Sequence, residues 1–261
     1  MKKSFISFLY ALLICSCIGP KPGQEETSVT KGTVIEENDS TFSYLIEGKI
    51  PVSKCSDLKW ITRFEDQIRT LEEKADADTV SDVDVVFFGS SSIRLWKGLD
   101  EMMSPLRTVN RGYGGATIRD IHYYYDRIMA HYTPKAFVIF CDNDIAGNPD
   151  DLSVGEVFDH YRMLFHRLDE DYPGTPVFFL SWKYSGLRAK LRSEQKLVND
   201  IMKDFAESSS QVTFVDVNSL LLNEDGSVNS KLFESDNLHI NREGYLLWTS
   251  LLKPQLIETC L

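Results

Sequence analysis

Three adjacent hydroxyls, Ser90, Ser91 and Ser92, follow Gly89 directly after the apolar run Val85-Val86-Phe87-Phe88. A short β-branched and aromatic run of this kind suits an interior strand of a parallel sheet, covered on both faces. In open parallel sheets, ligands sit just beyond the carboxyl ends of the strands. A serine at that position is a candidate nucleophile. It needs a base, an orienter for the base, and donors for a developing oxyanion. Of the five histidines, His122, His131, His160 and His166 fall in helix-patterned segments, where a packed or half-exposed ring is the ordinary outcome. His239 lies in a polar loop, three residues after Asp236. Across a turn, an Asp at that spacing can accept from one imidazole nitrogen while the other faces a serine. Alone, Asp-x-x-His equally describes a helix-capping loop; beside a strand-end serine it carries more weight. Gly112, Gly114 and Gly115 let backbone N–H groups approach a ligand closely, and the Asn143 amide is a further donor. Tight turns and a helix cap are the plainer readings of those residues.

The elements that carry these residues alternate along the chain. Trp60, Ile61, Phe64, Ile68 and Leu71 recur at helical spacing, with Asp57 as a candidate cap. The serine-bearing strand follows. Leu106–Val109 reads as a second strand ending in the loop Asn110-Arg111-Gly112-Tyr113-Gly114-Gly115, then Thr117 to about Tyr132 as a helix. Lys135–Phe140 is a third strand, followed by Cys141-Asp142-Asn143-Asp144 and a helix over Ser153–Asp171. Pro176–Leu180 and Val212–Val217 are the fourth and fifth strands, separated by a helix over Leu191–Ala206; a last helix runs from Asn241 to Glu258. Five strands alternating with helices predict right-handed βαβ units and a parallel, doubly wound α/β sheet.

These four blocks, in this order, resemble the SGNH/GDSL hydrolases. Gly89-Ser90-Ser91-Ser92 matches the first block, Asn110 to Gly115 the second, Asn143 the third, and Asp236-Asn237-Leu238-His239 the fourth. The flanking Ile93-Arg94-Leu95-Trp96 and Asn143-Asp144-Ile145 are similar to one bacterial Gly-Ser-Ser-Ser branch of that family. The resemblance spans roughly Asp57 to Glu258. It implies a flavodoxin-like three-layer α/β/α sandwich with a five-stranded parallel sheet, and no metal or organic cofactor. It implies Ser91 as nucleophile, ahead of Ser92 and Ser90, with His239 as base and Asp236 as orienter. It also implies an oxyanion hole made of the Ser91 and Gly115 N–H groups and the Asn143 side chain. Two departures stand out. Ser90 replaces the Asp of the usual first block, and Cys141-Asp142 replaces the Gly that usually opens the third. The absence of Gly-x-Ser-x-Gly separates the chain from the α/β-hydrolases.

The chain has 261 residues and a formal net charge of -11, with no basic cluster, which argues against a nucleic-acid partner. Lys2 and Lys3 precede the apolar stretch Phe5–Ile14, and Ser16-Cys17 follows. That is the layout of a secretion signal over 1–16, too short for a transmembrane helix. Its end resembles the lipobox of bacterial lipoproteins, with Cys17 fitting better than Cys15 as the lipidated residue; a plain cleaved signal is the alternative. The expectation is an exported chain, lipid-anchored to the bacterial cell envelope. The Pro, Gly, Glu, Ser and Thr rich stretch within 17–56 reads as a tether, with 42–46 as a candidate edge strand, before a hydrolase domain over 57–261. Export permits a disulfide between Cys55 and Cys260, with unpaired thiols equally consistent; Cys141 reads as a small packing residue.

The reaction class this implies is acyl-ester hydrolysis through an acyl-serine, with a small acyl group such as acetyl on a carbohydrate as the leading substrate. Tyr113, Tyr123-Tyr124-Tyr125, Trp182 and Tyr184 are candidate sugar-facing aromatics, although aromatics at helical spacing more often pack in cores. A lysophospholipase or thioesterase is the enzymatic alternative, and the lack of a long apolar lid segment weighs against it. A non-catalytic glycan-binding surface protein is the alternative from another class.

Overall fold

The sheet is built from segments whose apolar residues point to both faces. In the computed structural model, which describes residues 62–77, 83–130 and 132–261, five strands pair in parallel in the order β2-β1-β3-β4-β5. They are β1 (Val85–Gly89), β2 (Thr108–Gly112), β3 (Ala136–Phe140), β4 (Val177–Leu180) and β5 (Val212–Val215). The helices are α1 (Glu65–Ala77), α2 (Ser91–Arg94), α3 (Leu99–Met103), α4 (Ile118–Met129), α5 (Val154–Asp171), α6 (Arg192–Ser208) and α7 (Arg242–Cys260). The described residues belong to one compact unit, Asp57–Leu261.

Because strand side chains alternate, each strand feeds two cores. Val86, Phe88, Phe137, Ile139 and Phe179 pack with α1, α4, α5 and α6 on one face. Val85, Phe87, Val138, Phe140 and Leu180 pack with α3 and α7 on the other. The result is the three-layer α/β/α sandwich with a five-stranded parallel sheet that the alternating pattern and the family resemblance imply.

The second strand differs from the expectation. It runs Thr108–Gly112 rather than Leu106–Val109, taking in residues that read as loop. The reason is the ladder: Phe87, Phe88 and Gly89 pair with Asn110, Arg111 and Gly112. Arg111 is buried there because its guanidinium donates to the carbonyls of Leu71, Arg127 and Ile128, which removes the cost of an unsatisfied charge. The first helix begins at Glu65, later than its apolar spacing suggests. Asp57, Trp60, Ile61, Cys15, Cys17, Cys55, His131, the candidate strand over 42–46 and the segments 1–16 and 17–56 lie outside the described residues.

The strand ends are set by glycine. Gly89 has φ +132°, and a Cβ there would lie 2.0 Å from the Phe140 carbonyl oxygen. Gly112 is packed so tightly that a Cβ would meet the Arg94 backbone nitrogen at 2.5 Å. Side chains at these positions would push β1 from β3, or β2 from α2, and so move the serine turn.

Candidate active site

Ser91, Gly115 and Asn143 follow the three adjacent strands β1, β2 and β3. Gly89 is paired with both Gly112 and Phe140, so the loops carrying these residues leave the sheet at the same level. Ser91 is the first residue of α2, where the amide has no carbonyl a turn earlier within the helix. Several long-range contacts pin this turn. The Ser90 amide donates to Phe140 O at 2.8 Å, Asn110 Nδ2 donates to Ile93 O at 2.6 Å, and the buried Tyr245 hydroxyl donates to Ser92 O at 2.8 Å. Tyr245 also stacks on Trp96, tying α7 to the residues that follow the serines.

The histidine arrives from the far end of the chain. Phe233 and Ile240 form an antiparallel bridge, and Asn241 caps α7 by accepting from the Gly244 amide. Between them, Asn237 takes a left-handed backbone, φ 55°, which Asn tolerates better than most residues. The resulting turn gives Asp236 two jobs. Its Oδ1 accepts from the amides of Leu238 and His239 at 2.9 and 3.0 Å, and its Oδ2 lies 2.6 Å from His239 Nδ1. On the other side, His239 Nε2 lies 2.9 Å from Ser91 Oγ.

Partial burial favours the neutral acid at Asp236, but hydrogen bonds from the His239 ring and the two amides outweigh it and hold the carboxyl at about 2. An ionised Asp236 only accepts, so Nδ1 carries a proton; in the neutral ring Nε2 is then the acceptor, and the Ser91 hydroxyl donates to it. This is the tautomer that lets an imidazole take a proton from serine. Ser90 and Ser92 are both buried, and neither Oγ finds a partner. Of the three serines, Ser91 is the one whose hydroxyl lies within hydrogen-bond reach of the His239 ring.

Two clefts adjoin these residues. One of about 400 Å³ is lined by Gly115 and Asn143 together with Arg63, Thr117, Arg119 and Arg188. The other, about 460 Å³, is lined by Asp236 and His239 with Leu95, Met102, Ile240 and Tyr245. Gly115 has φ +81°. Its neighbour Gly114 is clamped by Gln67, whose Oε1 accepts from the Gly114 amide at 2.8 Å and whose Nε2 donates to its carbonyl. Asn143 Nδ2 donates to Ala116 O at 2.8 Å, which ties the loop after β3 to the loop after β2.

The candidate sugar-facing aromatics do not line either cleft. Tyr113, Tyr124, Tyr125, Trp182 and Tyr184 are buried in packing, and of that set Tyr123 alone is exposed. Their apolar bodies are worth more in the core than on a wet surface. Cys141 is a buried free thiol that donates to Ala116 O, which fits a packing residue. Cys260 is also a free buried thiol and is not bridged. His122 and His160 sit on α4 and α5, the His122 ring at 3.0 Å from the His160 carbonyl, away from the serine. No group of three or more His, Cys, Asp or Glu among the described residues is arranged to hold a metal ion.

Three residues around the site were not singled out in the sequence: Gln67, Lys183 and Arg188. Lys183 and Arg188 follow β4, at the same edge of the sheet as Ser91 and Asn143. Lys183 Nζ lies 3.0 Å from Asp142 Oδ2, and Arg188 Nη1 lies 3.2 Å from Asp142 Oδ1. Burial raises the Asp142 carboxyl, but Lys183 and Arg188 outweigh it and hold it below the usual carboxylate range. Their position beyond a strand's carboxyl end was the available clue.

A serine, an imidazole and a carboxylate joined in sequence at the carboxyl edge of a parallel sheet define a hydrolase-type site. The profile of the GDSL-like Lipase/Acylhydrolase family matches residues 87–247. The chain belongs to that family, and it is an ester-hydrolysing enzyme. Platelet-activating factor acetylhydrolase IB subunit alpha2 of Rattus norvegicus is 24% identical over 168 residues, covering 62% of this chain and 71% of the relative. A GDSL-like lipase from Bacteroides thetaiotaomicron superposes with a TM-score of 0.62 at 18% identity, over 73% of this chain and 97% of that one. A catalytic mutant of an acetylxylan esterase from Geobacillus stearothermophilus superposes with a TM-score of 0.56 at 14% identity, over 67% and 94%.

Proposed function

We propose that this enzyme is a serine esterase that removes a small acyl group, such as acetyl, from a carbohydrate or similarly polar alcohol. The observation that carries the serine mechanism is the single imidazole held 2.9 Å from Ser91 Oγ and 2.6 Å from Asp236 Oδ2. In this reading Ser91 Oγ bonds to the ester carbonyl carbon while His239 Nε2 takes its proton. The carbonyl π electrons move onto oxygen, which the Ser91 and Gly115 amides and the Asn143 side chain stabilise. The carbon–alkoxy bond then breaks, and His239 returns its proton to the leaving alcohol. Water repeats the cycle on the acyl-Ser91 and releases the acid. Asp236, held ionised, offsets the imidazolium charge in both halves.

The polar lining of the cleft beside Gly115 and Asn143 supports a polar substrate. Two proteins similar to this chain, an acetylhydrolase and an acetylxylan esterase, bear names that point to acetyl esters. A second reading, hydrolysis of longer acyl chains, draws on the more apolar cleft beside His239. Hydrolysis of p-nitrophenyl esters from C2 to C12 separates them: a rate that falls beyond C4 supports the first reading, and a maximum at C8 or longer supports the second. Ser91→Ala should lose about 10³-fold or more in kcat. Equal rates in Ser91→Ala and wild type overturn the serine mechanism, and no hydrolysis at any chain length leaves glycan binding without catalysis.

The basic Lys2-Lys3 start, the short apolar stretch and Ser16-Cys17 support export and lipid anchoring at Cys17 to the cell envelope. The anchor gives membrane contact, and the acidic charge speaks against a nucleic-acid partner. Palmitate labelling that survives Cys17→Ser overturns that site.

A further inference from the structure

The Asn143 amide is held at both ends. Its Oδ1 accepts from Arg188 Nη2 at 2.5 Å, and its Nδ2 donates to Ala116 O at 2.8 Å. A guanidinium can only donate and a carbonyl can only accept. Rotating the amide by half a turn would set N–H against N–H and oxygen against oxygen. Its orientation is therefore dictated by its partners. Nδ2 carries a second hydrogen that Ala116 does not take, and Asn143 lines the cleft together with Gly115.

Arg188 is itself fixed. Its Nη1 donates to the Asp142 carbonyl at 2.7 Å and also pairs with the Asp142 carboxylate. The other oxygen of that carboxylate takes Lys183. Asp142 and Lys183 are almost wholly buried, and Arg188 is 7% exposed. Burying three charges costs desolvation that packed apolar side chains would avoid, so the cluster is poorly explained by stability alone. It also lies where the sequence departs from its family, at Cys141-Asp142 in place of Gly. Asp142 is the residue that anchors Arg188 beside Asn143.

We propose that Arg188, braced by the Asp142–Lys183 ion pair, is a positioning residue that aims the Asn143 amide hydrogen at the oxyanion. The proposal rests on the serine-esterase reading and adds a residue outside it. Arg188 acts through Asn143 and does not itself touch the reacting atoms. Without it the amide can turn and present Oδ1, whose lone pairs oppose a negative oxygen. Loss of one oxyanion donor costs about 10²–10³-fold in kcat, which sets the ceiling for losing its aim. Arg188 lines the cleft too, but its guanidinium is engaged by Asp142 and Asn143, so ground-state binding draws on the other lining residues and KM changes little. A lysine at 188 keeps the charge opposite Asp142, but its single ammonium lacks the planar fork that reaches the Asp142 carbonyl and Asn143 Oδ1 together.

The test is a double-mutant cycle on p-nitrophenyl acetate, with thermal melts to confirm folding. We expect Asn143→Ala to lower kcat about 10²-fold, and Arg188→Lys and Arg188→Met to lower it about 10-fold or more with KM within about threefold. In the Asn143→Ala background, Arg188→Lys should add no more than about threefold, because both changes remove one donor. Wild-type kcat in Arg188→Lys overturns the proposal. So does an equal loss in both backgrounds, which is the behaviour of a merely structural residue. If Arg188→Met fails to fold, Arg188→Lys carries the cycle. Failure of the underlying reading looks different: Ser91→Ala then hydrolyses as fast as wild type, and the positioning role falls with it.

Discussion

The three adjacent hydroxyls differ in what they can reach. Ser90 and Ser92 turn into the protein, and the hydroxyl between them meets His239. Ser90→Ala and Ser92→Ala should therefore keep kcat within about threefold of wild type, since neither buried hydroxyl contacts the imidazole and each change removes a buried polar group that has no hydrogen-bond partner to lose. A loss of kcat in Ser92→Ala comparable to that in Ser91→Ala would move the nucleophile. Asp236 shapes its loop through two amides and orients the ring through its second oxygen. Asp236→Asn keeps an acceptor for those amides but favours the wrong imidazole tautomer, so kcat should fall on the order of 10²–10⁴-fold while the fold is retained. Circular dichroism beside steady-state kinetics checks both halves. Ser91, Asp236, His239, Gly115 and Asn143 were each visible in the sequence. Arg188 was not, because its meaning depends on a neighbour 45 residues earlier that only the sheet brings within reach.

Among the elements, α4 depends on a buried acid. Thr117 caps it with a capping box to Asp120, and Asp144 accepts the Ile118 amide at 2.9 and 3.0 Å. Burial raises the Asp144 carboxyl to about 7, against the stabilising hydrogen bond from Ile118. The native state thus holds this proton more tightly than the unfolded chain does. Its contribution is complete below about pH 4 and is lost as pH rises through 7. Asp144→Asn stays neutral and retains an acceptor for Ile118. It should match wild type in stability at pH 4 and exceed it at pH 8 by on the order of a few kcal/mol, read from urea titrations at both pH values. Equal stabilities at pH 8 would mean Asp144 is comfortably ionised. The strand β2 shows the complementary point. Asn110-Arg111-Gly112 has loop composition, yet a partner strand on one side and three carbonyls around Arg111 make it sheet.

At the scale of the whole molecule, one carboxylate gathers the opposite edge of the sheet. Asp84, just before β1, accepts from the Arg107 amide and guanidinium near β2, and pairs with Lys135 beside β3 at 3.0 Å. Burial opposes its charge, but the Arg107 and Lys135 contacts outweigh it and hold it at about 2. This contribution is complete above about pH 4 and disappears as pH falls through 2. Asp84→Asn should lower stability at pH 7 by roughly 2 kcal/mol, with the difference vanishing near pH 2 in paired thermal melts. A difference that persists at pH 2 would assign the loss to packing. Asp84 and Asp144 thus bound stability from the acid and the neutral side respectively.

The sequence by itself determined the alternation of five strands with helices, and it marked a strand-end serine cluster and the Asp236-x-x-His239 pair as candidates, because periodicity of two or 3.6 and turn chemistry are local properties. Tertiary structure decided which serine is presented, where β2 ends, and that the aromatic cluster is core. It also decided that a buried Arg188 grips the Asn143 amide. Each of those outcomes turns on atoms brought together across tens to more than a hundred residues, as in the Tyr245 bond to Ser92 O, 153 residues apart. Hydrogen-bond reach is a few ångströms, and no spacing along the chain encodes it.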